Sequence, residues 1–438
     1  MYSRVFSFLD DNNAFYEHQY GFRPKYSTNH ALISITEKIR EALDQGKIAI
    51  GVFIDLQKAF DTVNHSILLK KLHNYGIRGK MLDWFRSYLS NRQQFVSILG
   101  FDSKQMEIKH GVPQGSVLGP LLFLIYINDL HRSIKSSLTS HFADDTNLLT
   151  ISETTRPTRK HPNRKPIHLL QSRVNRDLKG LNAWLTANKI SLNAAKTELV
   201  IFRKPSVKCP STNIKINGQK ISPSSSIKYL GIYLDEFLNA SAHCDQLHTK
   251  LLRANGMIAK SRHYLHNNQQ HLLTIYHSIF SSHMIYGCQV WGQTDSKYFK
   301  KIQTLQNNAL RLITFAKSFR DHVSHLYKDL NILKLRDFVT LQNLLLVHDY
   351  FNNNLPESFS GFFTLSREIH THRTRGAMRG QLYVPNTESV RFGRKSIKLK
   401  SILSWNELAR NFPGIDLLHY SRSKLKMTIV KGFTDNYT

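Results

Sequence analysis

Asp55, Asp144 and Asp145 are the residues from which chemistry is most readily built. Asp55 closes IAIGVFID (48–55), a short, nearly continuous apolar run that reads as a buried strand. A lone carboxylate at the end of such a strand is costly without partners. Asp144 and Asp145 stand in HFADDTNLLTI (141–151), which reads as two short strands around an acidic turn. Neighbouring residues on a regular strand point to opposite faces, so a turn is needed to aim both carboxylates at one place. Three converging carboxylates repel one another unless cations lie between them. Mg2+ suits this, since it takes hard oxygen ligands, often one or two carboxylates plus substrate phosphates. Two such ions about 3.5–4 Å apart stabilise the attacking and leaving oxygens of a phosphoryl transfer. An Asp-Asp pair taken alone is far more often an ordinary turn.

The elements that must position these acids are legible in outline. Residues 28–45 carry an apolar stripe of Ala31, Ile35, Ile39 and Leu43 and predict a helix. HSILLKKLHNYGI predicts another, with Gly76 as its stop, and MLDWFRSYLS (81–90) a third. Residues 94–110 alternate as a hairpin would. GVPQGSVLGP (111–120) is a Gly/Pro-rich loop, and LLFLIYINDLHRS continues it as a helix. A helix over 171–188 precedes two strands, TELVIF (197–202) and IKYLGIYLD (227–235). Residues 154–166, basic and proline-containing, read as an exposed loop. From about residue 240 the texture becomes helical, with stripes that read as core faces.

Composition narrows the class. Sixty Lys and Arg against 31 Asp and Glu in 438 residues give a net charge of +29, spread through both halves of the chain. Apolar residues make up 41%, enough for packed cores. A folded, strongly basic chain of this size points to a polyanionic partner rather than an ordinary neutral metabolic enzyme. Cys209, Cys244 and Cys288 lie far apart, supporting neither a disulfide framework nor a cysteine-rich zinc site and fitting a reducing compartment. The longest apolar run, Val117 to Ile127, is about half of the ~20 residues that a membrane helix needs. The expectation is an intracellular protein that does not enter a membrane.

FIDLQKAFD (53–61), GVPQGSVLGPLLF (111–123), FADD (142–145), WLTANKISLNAAKT (184–197) and YLG (229–231) occur in that order. Together they resemble the palm motifs of reverse transcriptases, in particular those of non-LTR (LINE-type, jockey-like) retrotransposons. QYGFRPKYSTNHAL (19–32) resembles the fingers motif that lies just upstream in that family. The resemblance implies an α+β right-hand polymerase: partial fingers over 1–46, a palm with an antiparallel sheet and fingers insertions over 47–238, a helical thumb over 239–320, and a helical basic region over 321–438.

The resemblance also implies roles. Asp55 is the first metal-binding carboxylate, and Asp144 and Asp145 are the pair in the hairpin, together holding two Mg2+ ions, with Mn2+ as the alternative ion. Asp61 reads more simply as a helix-start or hydrogen-bonding residue. Phe60 is the steric gate beneath the sugar of the incoming nucleotide; without the motif it would read as a core aromatic. Gln114 and Gly115 match the family's PQG loop beside the nucleotide, and Ser116 reads as a turn or cap residue. Lys196 matches the lysine that protonates leaving pyrophosphate, with a plain surface lysine as the competing reading. Arg23 resembles a fingers residue on the triphosphate or template, where a planar fork suits phosphate. Tyr229, Leu230 and Gly231 resemble the primer grip.

The partners so implied are an RNA template, a DNA primer and dNTPs, and the setting is a retrotransposon ribonucleoprotein in cytoplasm and nucleus. The opening MYSRVFSFLDDNNAFYEHQYGF reads as an entry into the middle of a domain, which leads us to expect an N-terminally truncated element protein. The competing readings are a catalytically silent nucleic-acid-binding relic, favoured by that start, and a two-metal nuclease, in which the PQG loop and Phe60 have no role.

Overall fold

The structure is a computed structural model that describes residues 1–153, 166–265, 268–293, 296–316, 322–369, 380–411 and 417–437. The basic loop expected before Pro166 lies outside the described residues. The chain divides into two compact units. The first comprises residues 1–31, 47–201 and 206–224; the second comprises 32–46, 202–205 and 225–438.

The first unit is built around β1 (Ala49–Ile54), buried at all six positions. Its Val, Ile and Phe side chains suit a strand covered on both faces. It pairs antiparallel with β7 (Asp145–Ile151), which pairs antiparallel with β6 (Leu138–Phe142). The ladder between β1 and β7 runs from Ala49 opposite Ile151 to Ile54 opposite Thr146. With β8 (Glu198–Phe202) and β11 (Pro223–Ser224) the sheet has the order β11-β8-β1-β7-β6. Two small hairpins lie between β1 and β6 in sequence: β2 (Gln93–Gln94) pairs with β5 (Met106–Glu107), and inside it β3 (Ser97–Ile98) pairs with β4 (Phe101–Asp102). A further hairpin joins β9 (Ile214–Ile216) to β10 (Gln219–Ile221).

Helices α1 (Tyr2–Asp11), α3 (His65–Asn74), α4 (Lys80–Leu89), α5 (Leu118–Ile127) and α6 (Pro166–Ala187) complete this unit, and α2 (Thr28–Asp44) leads out of it. Every residue of α5 but Pro120 is buried, as expected of a helix that is apolar on all sides. On α6 the stripe Leu170, Val174, Leu178, Leu181 and Leu185 joins the same core. Lys71 of α3 is tied into it by hydrogen bonds to the Tyr126 carbonyl at 2.5 Å and the Asp129 carboxylate at 2.6 Å. Burial lowers the pKa of this ammonium and Asp129 opposes the shift. The Tyr126 hydroxyl donates to the Asn188 carbonyl, fixing the turn after α6.

The second unit opens with a hairpin. β12 (Ser226–Tyr229) and β13 (Ile232–Asp235) are antiparallel and joined by Leu230 at φ +43° and Gly231 at φ +83°. The single strand expected over 227–235 is therefore two. Two positive φ values are what a type I′ turn demands, and that turn follows the twist of the strands it joins. After it come α7 (Ser241–Tyr264), α8 (Ser296–Ile313), α9 (Leu335–Phe351), α10 (Ile397–Asn411) and α11 (Arg422–Asp435). Polar side chains inside this unit are matched to backbone groups. Gln306 donates to the Leu333 carbonyl and accepts the Leu335 N–H, and Asn406 brackets Leu382 through both its N–H and its carbonyl. Glu37 of α2 caps α10: its carboxylate accepts the N–H groups of Ile397 and Lys398 and the Ser396 hydroxyl. Asp44, two turns further along, accepts the N–H groups of Glu388 and Ser389. Acids of α2 thus anchor Glu388, Ser389 and the start of α10. No described helix is long and apolar enough to cross a membrane.

Candidate active site

Asp55 follows β1 directly, half-buried at the sheet's end. Its backbone is captured by the loop after α6: Asn193 donates its N–H to the Asp55 carbonyl at 2.9 Å, and Gln57 donates to Ser191. The same Asn193 donates its side-chain amide to the Asp55 carboxylate at 2.8 Å. Asn193 had no role in the reading of the sequence. Its only signal there was its place in LNAAKT, since the contact joins residues 138 positions apart.

Asp144 and Asp145 lie at the β6–β7 connection, where Phe142 pairs with Asp145 across a turn of Ala143 and Asp144. Ala143 sits at φ +55°, in the left-handed region that a Cβ disfavours. Segment 18–21 stabilises it. Gln19 forms a parallel bridge with His141, and the Tyr20 N–H donates to the His141 carbonyl at 2.8 Å. The Gln19 side-chain oxygen accepts the N–H groups of Ala143 at 3.0 Å and of Gly21 at 2.9 Å, while its amide nitrogen donates to the Ala143 carbonyl at 3.4 Å. A Cβ on Gly21 would stand 2.4 Å from the Ala143 nitrogen, so this close approach requires glycine. His141 is buried and bonded through Nδ1 to the Thr146 hydroxyl, and burial pushes its imidazole down to about 3, leaving it neutral.

The three carboxylates feel one another. The β1–β7 register, continued by one residue, sets Asp55 opposite Asp145. Burial raises the Asp145 pKa to about 6, with the charges of Asp144 and then Asp55 adding to it. Asp144 is raised by burial and by Asp55, against a backbone hydrogen bond that lowers it. Asp144 is half-buried; Asp145 still reaches solvent, so its desolvation is partial and water screens part of its shift. Among the described residues no group of three or more His, Cys, Asp or Glu is placed to hold a metal ion by itself. What is present is a small set of mutually repelling hard oxygen donors. That set fits a hard divalent cation that completes its shell with water and substrate phosphates, and does not fit a closed all-protein site.

The other expected residues of the first unit have their own partners. Phe60 stacks on Phe123 with ring centroids 4.2 Å apart and meets Phe22 edge-on at 6.1 Å; its carbonyl accepts the Val112 N–H. Gln114 donates to the Asp61 carboxylate at 2.7 Å, which gives Asp61 the hydrogen-bonding role. Gly115 has φ +76° and open space where a Cβ would lie. Ser116 accepts the Gly119 N–H and donates to the Pro113 carbonyl, as a turn and cap residue does. Lys196 is exposed, its N–H donated to the Asn193 carbonyl.

One expectation changes. Arg23 offers no open fork: its side chain is 9% exposed, bonded to the Tyr16 carbonyl at 3.0 Å and to Asp10 at 3.4 Å, and packed over the rings of Tyr26 and Phe15. It braces its own segment. Tyr229, Leu230 and Gly231 belong to the second unit and form the end and turn of the β12–β13 hairpin, where the Leu230 carbonyl accepts the Tyr286 hydroxyl at 2.7 Å.

Comparison with known proteins bears on this arrangement. Residues 2–234 match the family described as reverse transcriptase (RNA-dependent DNA polymerase). The RNA-directed DNA polymerase from mobile element jockey of Drosophila melanogaster is 31% identical over 356 residues, covering 78% of this chain and 36% of that protein. The probable RNA-directed DNA polymerase from transposon X-element of the same organism is 30% identical over 343 residues, covering 76% and 36%. The chain spans about a third of the length of these curated relatives. Apo telomerase from Candida Tropicalis superposes over 84% of this chain and 60% of its own at 10% identity and a TM-score of 0.38, too loose a likeness to carry an argument.

Proposed function

The chain belongs to the reverse transcriptase (RNA-dependent DNA polymerase) family, and on that premise we propose that it is the polymerising part of a non-LTR retrotransposon protein, joining dNTPs to a primer 3′-hydroxyl on an RNA template. The observation that carries this reading is the gathering of Asp55, Asp144 and Asp145 at one end of the antiparallel β1–β7–β6 ladder. In a chain of net charge +29, carboxylates gathered at one point are placed against their own interest unless a cation is to join them.

Asp55, Asp144 and Asp145 would hold two divalent ions, Mg2+ or Mn2+. When bound, the ions neutralise phosphate charge and lower the pKa of the attacking hydroxyl. The protein supplies position and field. Asn193 orients the Asp55 carboxylate, and Gln19 fixes the turn that presents Asp144. The Phe60 ring, held against Phe123, lies beneath the sugar and excludes a ribose 2′-hydroxyl. Gln114, held by Asp61, lines the nucleotide, and the open backbone at Gly115 lets it approach. Lys196 gives its proton to the leaving pyrophosphate. The β12–β13 turn at Tyr229–Gly231 steadies the primer end. On this reading the first unit is palm with partial fingers, the helices after residue 239 form the thumb, and the basic region beyond 320 contacts RNA or duplex. The setting is a ribonucleoprotein of cytoplasm and nucleus.

The test is extension of a DNA primer on an RNA template with dNTPs and Mg2+. Asp144→Asn abolishes extension while leaving RNA affinity within about threefold. Equal extension by wild type and variant overturns the assignment. No extension by either, with RNA still bound, selects the binding relic.

A further inference from the structure

Helix α4 buries Phe85 and Leu89 and turns a second row of side chains outward. Trp84 is 40% exposed, and its ring stacks on Tyr88 with centroids 5.3 Å apart and planes 10° from parallel. The Arg92 guanidinium lies 5.3 Å from the centroid of the Tyr88 ring. A spacing of four places Trp84 and Tyr88 on one helix face, and the Arg92 guanidinium joins them from beyond the helix end through its contact with the Tyr88 ring. Between residues 78 and 92 there are four cations, Arg78, Lys80, Arg86 and Arg92, against one acid, Asp83, which is paired with Arg86 at 2.6 Å. The chain then enters the β2–β5 hairpin, whose Phe95, Leu99 and Phe101 are 49%, 94% and 81% exposed.

A stacked, exposed indole, a second ring and a guanidinium, flanked by Arg78 and Lys80 as well as the Arg86–Asp83 pair, lack two things: a flat π-face and phosphates. A nucleic-acid strand brings both. A protein partner would meet the apolar rings but leave the cations unmatched. We infer that α4 and the hairpin after it form a stacking platform for single-stranded nucleic acid, with a base on Trp84 and phosphates on the flanking arginines and Lys80. The inference rests on the polymerase reading only for the source of the strand.

The experiment uses the full chain in EDTA without dNTPs, so catalysis plays no part. Of four tryptophans, Trp291 and Trp405 are buried and Trp184 is half-buried under Lys71, so Trp84 is the one open to a ligand. Oligo(U) and oligo(dT) of about 12 nucleotides are titrated against tryptophan fluorescence and, separately, by anisotropy of a labelled strand. Wild type shows quenching that saturates with the anisotropy. Trp84→Phe loses the quench but binds within about threefold, because a ring remains to stack on. Trp84→Ala and Tyr88→Ala weaken binding about tenfold. The two oligonucleotides together show whether the site prefers RNA or DNA. A quench that persists in Trp84→Phe, or full affinity in Trp84→Ala, overturns the inference. So does reversible self-association in sedimentation that Trp84→Ala abolishes, which would make the row a protein contact. Asp144→Asn retains the quench, so loss of the polymerase reading and loss of this one are separable.

Discussion

The Gln19 side-chain oxygen accepts the Ala143 N–H at 3.0 Å, and both residues are buried. One residue from the fingers-like segment therefore fixes the left-handed residue immediately before Asp144. Gln19→Met keeps the volume and removes the bonds, leaving a buried N–H unpaired at a cost of about 1–3 kcal/mol. Expected is a fall in kcat of roughly 10–100-fold, a higher Mg2+ requirement, and primer–template affinity within about threefold. Gln19→Glu, which keeps the acceptor oxygens, recovers part of the lost Tm. Unchanged Mg2+ dependence in Gln19→Met would show the contact to be structural only.

Asp145 yields a pH signature. Its folded-state pKa of about 6 lies above the ordinary 3.8. The folded state thus holds this proton more tightly than the unfolded chain, and stability from this group is present at low pH and lost as pH rises from about 4 to about 6. Asp145→Asn should raise the metal-free Tm at about pH 7.5 and leave it unchanged near pH 4. Adding Mg2+ at the higher pH should stabilise wild type more than the variant. Calorimetry in EDTA and in Mg2+ checks both, and an equal Tm at both pH values would remove the coupling.

Phe60 is tested through substrate choice. Phe60→Val opens the space beneath the sugar and should raise ribonucleotide incorporation on the order of 10–100-fold. Lost stacking on Phe123 costs about 1–3 kcal/mol as well. Phe60→Tyr, which retains the ring, keeps both stability and dNTP preference. Single-nucleotide extension with dNTP and NTP in parallel decides the matter, and an unaltered ratio in Phe60→Val would return this ring to the core.

Glu37 and Asp44 anchor separate stretches to one helix. Glu37→Ala leaves two N–H groups of α10 uncapped and should cost about 1–3 kcal/mol. Asp44→Ala should cost a similar amount at Glu388 and Ser389. Because the partners are distinct, the double variant is expected to be additive within about 0.5 kcal/mol. Thermal denaturation of the four-member cycle measures this; no loss in either single variant would show the caps to be dispensable.

The sheet around the acids was readable because burial on both faces leaves a compositional mark. β1 is all apolar, and β6 and β7 flank an acidic turn that could not be strand. The β12–β13 hairpin was not readable, because Leu is no marker of a left-handed turn position and Gly231 alone interrupts an otherwise unbroken strand-like run. Gln19 and Asn193 left no local trace, since each acts on a residue more than 120 positions away. Arg23 misled for the opposite reason. Residue type announced a phosphate fork, but its neighbours Tyr16 and Tyr26 supplied a carbonyl and a ring closer to hand.

A few acids of this chain are held by backbone N–H groups. Asp177 is buried against the N–H groups of Lys135 and Ser136, Asp235 receives those of Phe237 and Asn239, and Glu37 and Asp44 are taken up by the residues they cap. Sixty Lys and Arg against 31 Asp and Glu nonetheless leave solvent a strongly cationic surface. Such a body gathers a dense cloud of anions. Its solubility should improve as salt thins the mutual repulsion and strips adsorbed polyanions, and material isolated at low ionic strength should carry host nucleic acid, visible as excess absorbance at 260 nm.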